Sequence, residues 1–286
     1  MAALDPTTFV TLADAMEFRV FRDGERLLSA HSLDRDMLIL LQGEAEVWIR
    51  RDARRVKVAT LGPGQVIGEI SFFNQDHPRT ADVVARREGA VAVLGVEAWK
   101  RLETSCPDAV KAVQRQVLYE LISRVYVVSR TLARAAPVVP VVHSVKMDLV
   151  SWRHFERLAP AEPLRAGDIV LPVTPRLTHV AVVGPGIYVL ERPGPPSPGM
   201  VFAEGPAVLG WGAAIAGEPT FLQVRCEKDS TICRVPAEQF REAFFADGER
   251  GRAMRRAMVV HASLQLAALN GALLATTVDA GTVAAL

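Results

Sequence analysis

A glycine, a carboxylate, a hydroxyl and an arginine fall within fourteen positions of the amino-terminal half of the chain. The stretch begins with Ile67-Gly68-Glu69-Ile70-Ser71 and ends with Arg79-Thr80. Gly68 lets the backbone approach a ligand closely, and the planar guanidinium of Arg79 matches two phosphate oxygens at once. Glu69 would repel a phosphate, so we expect it to accept a hydrogen bond from a sugar hydroxyl. Together these residue types predict a site for a ribose and an anionic phosphate.

The neighbouring segments predict elements that position these side chains. Residues 70–73 can form one short helical turn, whose first N–H groups have no acceptor inside the helix and therefore favour an anion. Pro107 begins a longer helical pattern that extends to about Arg134. Valine and leucine recur there at spacings of three and four, which predicts an apolar stripe that packs against another element.

The two segments resemble the phosphate-binding cassette of the cyclic nucleotide-binding domain family. Residues 66–73 are VIGEISFF and residues 78–83 are PRTADV, and the family pattern is F-G-E-[LIV]-[AS]-L-L followed by P-R-[TSA]-A-x-V. Ile67 stands in place of the usual aromatic residue, and the resemblance spans about residues 18–126. It implies an eight-stranded β-roll followed by helices, with the cyclic phosphate on Arg79 and the ribose 2′-hydroxyl on Glu69. The alternative is a β-roll that has lost its ligand.

The family resemblance also bears on the choice of base. In some relatives a threonine at the position of Thr80 accepts from the guanine amino group, but Arg-Thr also resembles cAMP receptors, so we predict cAMP, with cGMP as the alternative. Relatives place a polar residue of the long helix on the base, and Arg124, or the neighbouring Ser123, is the candidate here; the alternative is that Arg124 lies on a solvated helix face. In the family this helix closes over the base or forms a dimer interface.

The chain contains an internal repeat. A shift of 143 residues aligns residues 21–25 with residues 164–168, and a shift of 141 aligns Pro78 with Pro219. A repeat of this length is a duplicated domain. We predict a mainly β fold with α-helices, built as two tandem cyclic-nucleotide-binding-type β-rolls, which are jelly-roll-like and flanked by helices. The predicted domains are 1–136 and 149–286, each with a carboxy-terminal helix, joined by a proline-containing linker at 137–148.

The second copy has lost both charged groups of the motif. Trp211 takes the place of Glu69, and Thr220 takes the place of Arg79. A cyclic phosphate would lose hydration there without gaining an ionic partner, so we predict that this copy binds no cyclic nucleotide. The alternative is that Trp211 stacks against a different ligand.

Composition and the remaining segments limit the function classes. The net charge of +1 argues against general nucleic-acid or membrane binding, and no helix-turn-helix follows the first helix, so we expect no DNA binding. The histidines never fall at a metal-ligand spacing, and three cysteines without a C-x-x-C pair indicate reduced thiols in a cytoplasmic protein. Residues 257–278 are uncharged; we interpret them as a helix buried against a protein partner or in a homodimer, with a tail anchor as the alternative.

The leading hypothesis is therefore a non-enzymatic sensor of cAMP or cGMP that relays binding through the helix from Pro107 to an unknown protein partner or to the second domain. Kinase inhibition is not expected, because residues 1–17 contain no R-R-x-[AS] pseudosubstrate stretch. Two alternatives stay open: a scaffold in which both rolls are structural, and a metal-dependent enzyme of the cupin type.

Overall fold

The computed structural model describes residues 5–51, 54–74, 78–134, 146–191 and 200–275. It divides the chain into two compact units, one ending at Glu120 and the next beginning at Leu121. The predicted division into domains 1–136 and 149–286 with a linker at 137–148 stays a prediction, because most of the linker lies outside the described residues.

The first unit is an antiparallel β structure with helices before, between and after its strands. Its helices are α1 (Pro6–Asp14), α2 (Glu69–Phe73), α3 (Val96–Ser105) and α4 (Pro107–Arg134), of which α4 continues into the second unit. Its strands are β1 (Glu17–Phe21), β2 (Arg26–Leu28), β3 (Met37–Arg51), β4 (Arg54–Leu61), β5 (Val66–Ile67) and β6 (Asp82–Leu94). They form one sheet in the order β1-β6-β3-β4, with β2 added to β6 and β5 added to β3.

The described part of this unit has six strands rather than the eight that the family resemblance implied. Strands β3 and β6 are 15 and 13 residues long, because each continues through a region of shifted register near Gly43. A Cβ atom at Gly89 would lie 2.0 Å from the carbonyl oxygen of Gln42, so only glycine lets the two backbones approach there. The bulges bend the sheet around its own core.

The core of the first unit is formed by buried side chains from one face of this sheet. Alternate residues of the strands point inward, as a half-buried sheet requires, and β5 contributes Ile67, which is 2% exposed. The buried side chains include Phe21, Leu28, Leu38, Leu40, Leu61, Val83 and Val91. Burial of Ile67 fixes the point at which the chain enters the candidate cassette.

The described residues of the second unit form eight strands in two four-stranded antiparallel sheets. One sheet has the order β11-β10-β13-β8 and the other β12-β9-β14-β7. The strands are β7 (Ala161–Leu164), β8 (Ile169–Leu171), β9 (His179–Val183), β10 (Ile187–Glu191), β11 (Met200–Glu204), β12 (Ala207–Leu209), β13 (Gln223–Cys226) and β14 (Ser230–Pro236). The helices that begin within it are α5 (Leu149–Glu156), α6 (Trp211–Ala216), α7 (Ala237–Phe245) and α8 (Glu249–Ala275). The predicted fold class, mainly β with α-helices, is confirmed.

Corresponding backbone hydrogen bonds recur in the two units at the predicted shifts. In each unit an early turn exchanges two bonds with one residue of a late strand, and the pairs are Gly24–Ala85, Glu25–Ala85, Gly167–Cys226 and Asp168–Cys226. Between the two units, the turn residues differ by 143 in residue number, and Ala85 and Cys226 differ by 141. The two units therefore share the same chain path at this turn.

Helix α8 covers most of the uncharged stretch 257–278. Its side chains at Met254, Met258, Ala262 and Leu266 are buried. No helix in the described part of the chain is long and apolar enough to cross a membrane. The proline-rich residues 192–199 and the carboxy-terminal residues 276–286 lie outside the described residues.

Candidate functional site

A left-handed glycine joins the end of the sheet to the short helix of the first cassette, by which we mean residues 66–83. Strand β5 ends at Ile67, Gly68 has a φ of 85°, and α2 begins at Glu69. A side chain at Gly68 would be strained in this conformation. Its Cβ atom would also lie 2.3 Å from Nη1 of Arg79. The space that glycine leaves here is taken by the arginine side chain, and the close approach of Gly68 to a ligand stays a prediction.

The guanidinium of Arg79 is buried and is held by uncharged acceptors. The side chain is 3% exposed. Nη1 donates to the carbonyl oxygen of Gly68 and to Oγ of Ser71, both at 2.8 Å, and Nη2 donates to the carbonyl oxygen of Asp36. No carboxylate among the described residues forms an ion pair with this side chain. The positive charge is therefore fixed in place without being neutralised by direct contact.

The pKa of Arg79 reflects the burial of its guanidinium. Burial lowers the pKa of the guanidinium below its usual value, and the carboxylates of Asp34, Asp36 and Glu69 act in the opposite direction. Its buried Nε atom has no hydrogen-bond partner among the described residues. A buried donor on a cation is costly to leave unpaired, and an anionic oxygen is the acceptor that would satisfy it best.

A loop that the sequence did not single out also positions Arg79. The backbone N–H of Arg79 donates to the carbonyl of Ser32 at 3.2 Å, and its carbonyl accepts from the N–H of His31 at 2.9 Å. His31 has a positive φ of 63°. Backbone carbonyls carry no residue signature, so the motif could not reveal these contacts. The unusual conformation of His31 shows how sharply this loop turns toward the arginine.

The structure brings seven of the eight predicted site residues together in the first unit. Glu69 is 3% exposed and Ser71 is 1% exposed. Ile67 and Ile70 are also buried, whereas Thr80 is half-buried beside Arg79. The predicted helical turn is present as α2. Its first turn contributes the hydroxyl of Ser71 to Arg79, which is a role that the motif alone does not specify.

Arg124, the eighth predicted residue, is assigned to the second unit rather than to the first. It is a half-buried residue of α4 that belongs to the second unit. Its role as a contact to the base stays a prediction. His77, in the spacer of the cassette, lies outside the described residues.

One family comparison bears directly on this site. The sequence model of the cyclic nucleotide-binding domain matches residues 18–105, which include Gly68, Glu69 and Arg79. Over these residues the chain matches the cyclic nucleotide-binding domain family. The predicted resemblance is thereby confirmed for the first unit.

The relatives of this cyclic nucleotide-binding domain include protein kinase regulatory subunits. The cAMP-dependent protein kinase type II regulatory subunit of Drosophila melanogaster is 32% identical over 113 residues, which are 39% of this chain and 29% of the relative. The chain therefore matches less than a third of that relative's length. Among solved structures, the regulatory domain of Toxoplasma gondii PKA with cAMP is 18% identical, covers 84% of this chain and 85% of its own, and has a TM-score of 0.34. A cyclic nucleotide-binding domain from Methylobacillus flagellatus is 25% identical, covers 43% and 70%, and has a TM-score of 0.41.

The second cassette, residues 210–222, repeats the glycine turn and short helix of the first cassette without its charged side chains. Gly210 has a φ of 76° and precedes α6, as Gly68 precedes α2. Trp211, at the position of Glu69, is 2% exposed and donates from Nε1 to Oε1 of Gln265 at 2.8 Å. Thr220, at the position of Arg79, donates from its hydroxyl to the carbonyl of Pro172 at 2.7 Å. Both replacements are thus bonded within the unit.

Metal ligation was one open alternative for the β-roll. Among the residues that the structure describes, no three histidine, cysteine, aspartate or glutamate side chains come close enough together to hold an ion. All three cysteines are free thiols.

Proposed function

We propose that the first unit binds a cyclic nucleotide and that the chain is a non-enzymatic regulatory protein. Arg79 would hold the cyclic phosphate, and Glu69 would accept from the ribose 2′-hydroxyl. The observation that carries this proposal is the guanidinium of Arg79, buried to 3% exposure with Nε unpaired and with no ion pair among the described residues. A cation held in this way gains an ionic partner when a phosphate arrives.

The favoured ligand is cAMP, with cGMP as the alternative. Thr80 is half-buried next to Arg79, and its hydroxyl is the group that we propose contacts the base. One neutral hydrogen bond contributes about 0.5–1.5 kcal/mol, which corresponds to at most roughly a tenfold preference. The Drosophila relative is named for its dependence on cAMP, and this supports the same choice.

The relay that we propose runs through α4. This helix begins at Pro107, directly after the cyclic nucleotide-binding domain, and it continues without a break into the second unit. A ligand moves such a helix only if its affinity differs between the two helix positions. The regulated partner would be a protein that distinguishes those positions, or the second unit itself.

Isothermal titration with cAMP and with cGMP tests the proposal. We expect saturable binding in the micromolar range or tighter, lost in Arg79→Ala and weakened in Glu69→Gln. Arg19→Ala is the matched control, because Arg19 is an exposed arginine of β1 in the same unit. If neither nucleotide produces heat or a thermal shift with the wild-type protein, the sensor is refuted and a scaffold built of two rolls is the better explanation.

A further inference from the structure

A cavity of about 130 Å³ lies in the second unit beside the second cassette. Gly210, Trp211 and Thr220 contribute to its wall. These residues occupy the positions that Gly68, Glu69 and Arg79 occupy in the first unit. The cavity therefore lies where the repeat places a ligand site, although the groups that would hold a phosphate have been replaced.

The wall of this cavity is mainly apolar and aromatic. Phe221 and Tyr126 meet edge to face with ring centroids 5.1 Å apart, and leucines from strands β8, β10 and β12 complete the surface. The polar groups of Trp211 and Thr220 are already hydrogen-bonded within the unit. They offer no unpaired group to a strongly polar ligand, which would lose its hydration without compensation.

The charges on the wall exclude a phosphate. Among the described residues that line the cavity, Glu218 is the one charged side chain, and no lysine, arginine or histidine accompanies it. An anion would meet a carboxylate and no cation. An ammonium group would have to leave water for a largely hydrocarbon surface. An uncharged ligand is the class that this wall fits best, and the hydroxyl-bearing residues Tyr126 and Ser129 suit one with a single hydroxyl group.

We propose that this cavity binds a small uncharged molecule of about the size of one aromatic ring. An apolar cavity of roughly 150 Å³ is large enough for benzene. Ile122, Val125 and Tyr126 of α4 form one wall, so the ligand contacts the same helix that we propose as the relay. The second copy is then a sensor for a different chemical class. The binding itself does not depend on a cyclic nucleotide in the first unit.

Three probes that share one ring but differ in charge test the ligand class: benzyl alcohol, benzoate and benzylammonium. Binding to the full chain is measured by ligand-detected NMR near pH 7, without cyclic nucleotide. We expect a dissociation constant on the order of 0.1–1 mM for benzyl alcohol, as suits a ligand of so few atoms. Benzoate and benzylammonium should bind at least about tenfold more weakly.

A filling variant tests the location. A Cβ atom at Gly212 would meet only Ile122, at 3.6 Å, which is ordinary contact. Gly212 lies in α6, where leucine is a better helix former than glycine, so Gly212→Leu should fold and fill the cavity. It should lose at least about 90% of the benzyl alcohol binding, a tenfold change. Gly248→Leu is the control, because a side chain there meets nothing within 4 Å.

Three results would overturn the proposal: no saturable binding of benzyl alcohol up to about 10 mM, equal binding of benzoate, or unchanged binding in Gly212→Leu. Titration of the same samples with cAMP separates this proposal from the previous one. Loss of cAMP binding in Arg79→Ala with benzyl alcohol binding retained would support both assignments.

Discussion

The replacement of Gly68 by alanine tests whether ligand binding depends on the position of the Arg79 guanidinium. The new Cβ atom would lie 2.3 Å from Nη1 of Arg79, whereas ordinary contact begins at 3.4 Å. The guanidinium must therefore retreat by at least about 1.1 Å. Its two bonds from Nη1, to the Gly68 carbonyl and to Ser71, are 2.8 Å long and cannot survive such a shift.

The same substitution at Gly64 separates this displacement from backbone strain. Gly64 has a φ of +87°, close to the +85° of Gly68, but a side chain there meets nothing within 4 Å. Alanine in the left-handed conformation costs about 1–2 kcal/mol, so we expect that loss of stability in Gly64→Ala. Gly68→Ala should lose at least about 2.5–5 kcal/mol, because losing even one hydrogen bond to a charged group adds about 1.5–3 kcal/mol to that strain.

The affinity for cAMP should also differ between the two variants, and Gly68→Ala should again be the more strongly affected. We expect Gly64→Ala to bind cAMP like the wild type and Gly68→Ala to bind roughly 10- to 100-fold more weakly, since losing one charged hydrogen bond has that effect on a dissociation constant. Urea denaturation gives the stabilities, and isothermal titration gives the affinities. Equal affinity in the two variants would refute the role of the Gly68–Arg79 contact, as would equal loss of stability.

Three further predictions concern the second unit. Burial lowers the pKa of His261 to about 4, below the value near 6.5 of an unfolded histidine. As the pH falls, the unfolded chain therefore binds the proton before the folded protein does, and His261 should lower the free energy of unfolding by about 2 kcal/mol between pH 7 and pH 5. Urea denaturation of His261→Gln should show a smaller loss of stability over that range. An equal loss in the variant and the wild type would contradict the assignment. A double-mutant cycle of Tyr126→Ala and Phe221→Ala should give a coupling of about 0.5–1.5 kcal/mol in thermal or urea unfolding, as edge-to-face rings do, and an additive result would show that the rings do not meet. Asp148 accepts from the N–H groups of Val150 and Ser151 and caps α5, so Asp148→Ala should cost about 1 kcal/mol in urea unfolding, whereas Asp148→Asn should cost less.

Much of the chain organisation follows from local patterns that the sequence displays directly. The apolar stripe from Pro107 predicted a helix to about Arg134, and α4 has these bounds. The cassette predicted a glycine turn and a short helix, which are Gly68 and α2. The described part of the first unit has six strands where the family resemblance implied eight, because β3 and β6 each continue through the shifts of register near Gly43.

The sequence by itself determined which charged groups are present, how they are spaced and that the second copy has lost them. Side-chain type and local spacing are written in the chain, so a motif and its degeneration can be recognised there. Only the tertiary structure decided what those side chains contact. The carbonyl of Asp36 lies 43 residues from Arg79, and Gln265 lies 54 residues from Trp211. Such partners are chosen by the packing of distant segments, and a backbone carbonyl or a space between side chains has no letter in the sequence.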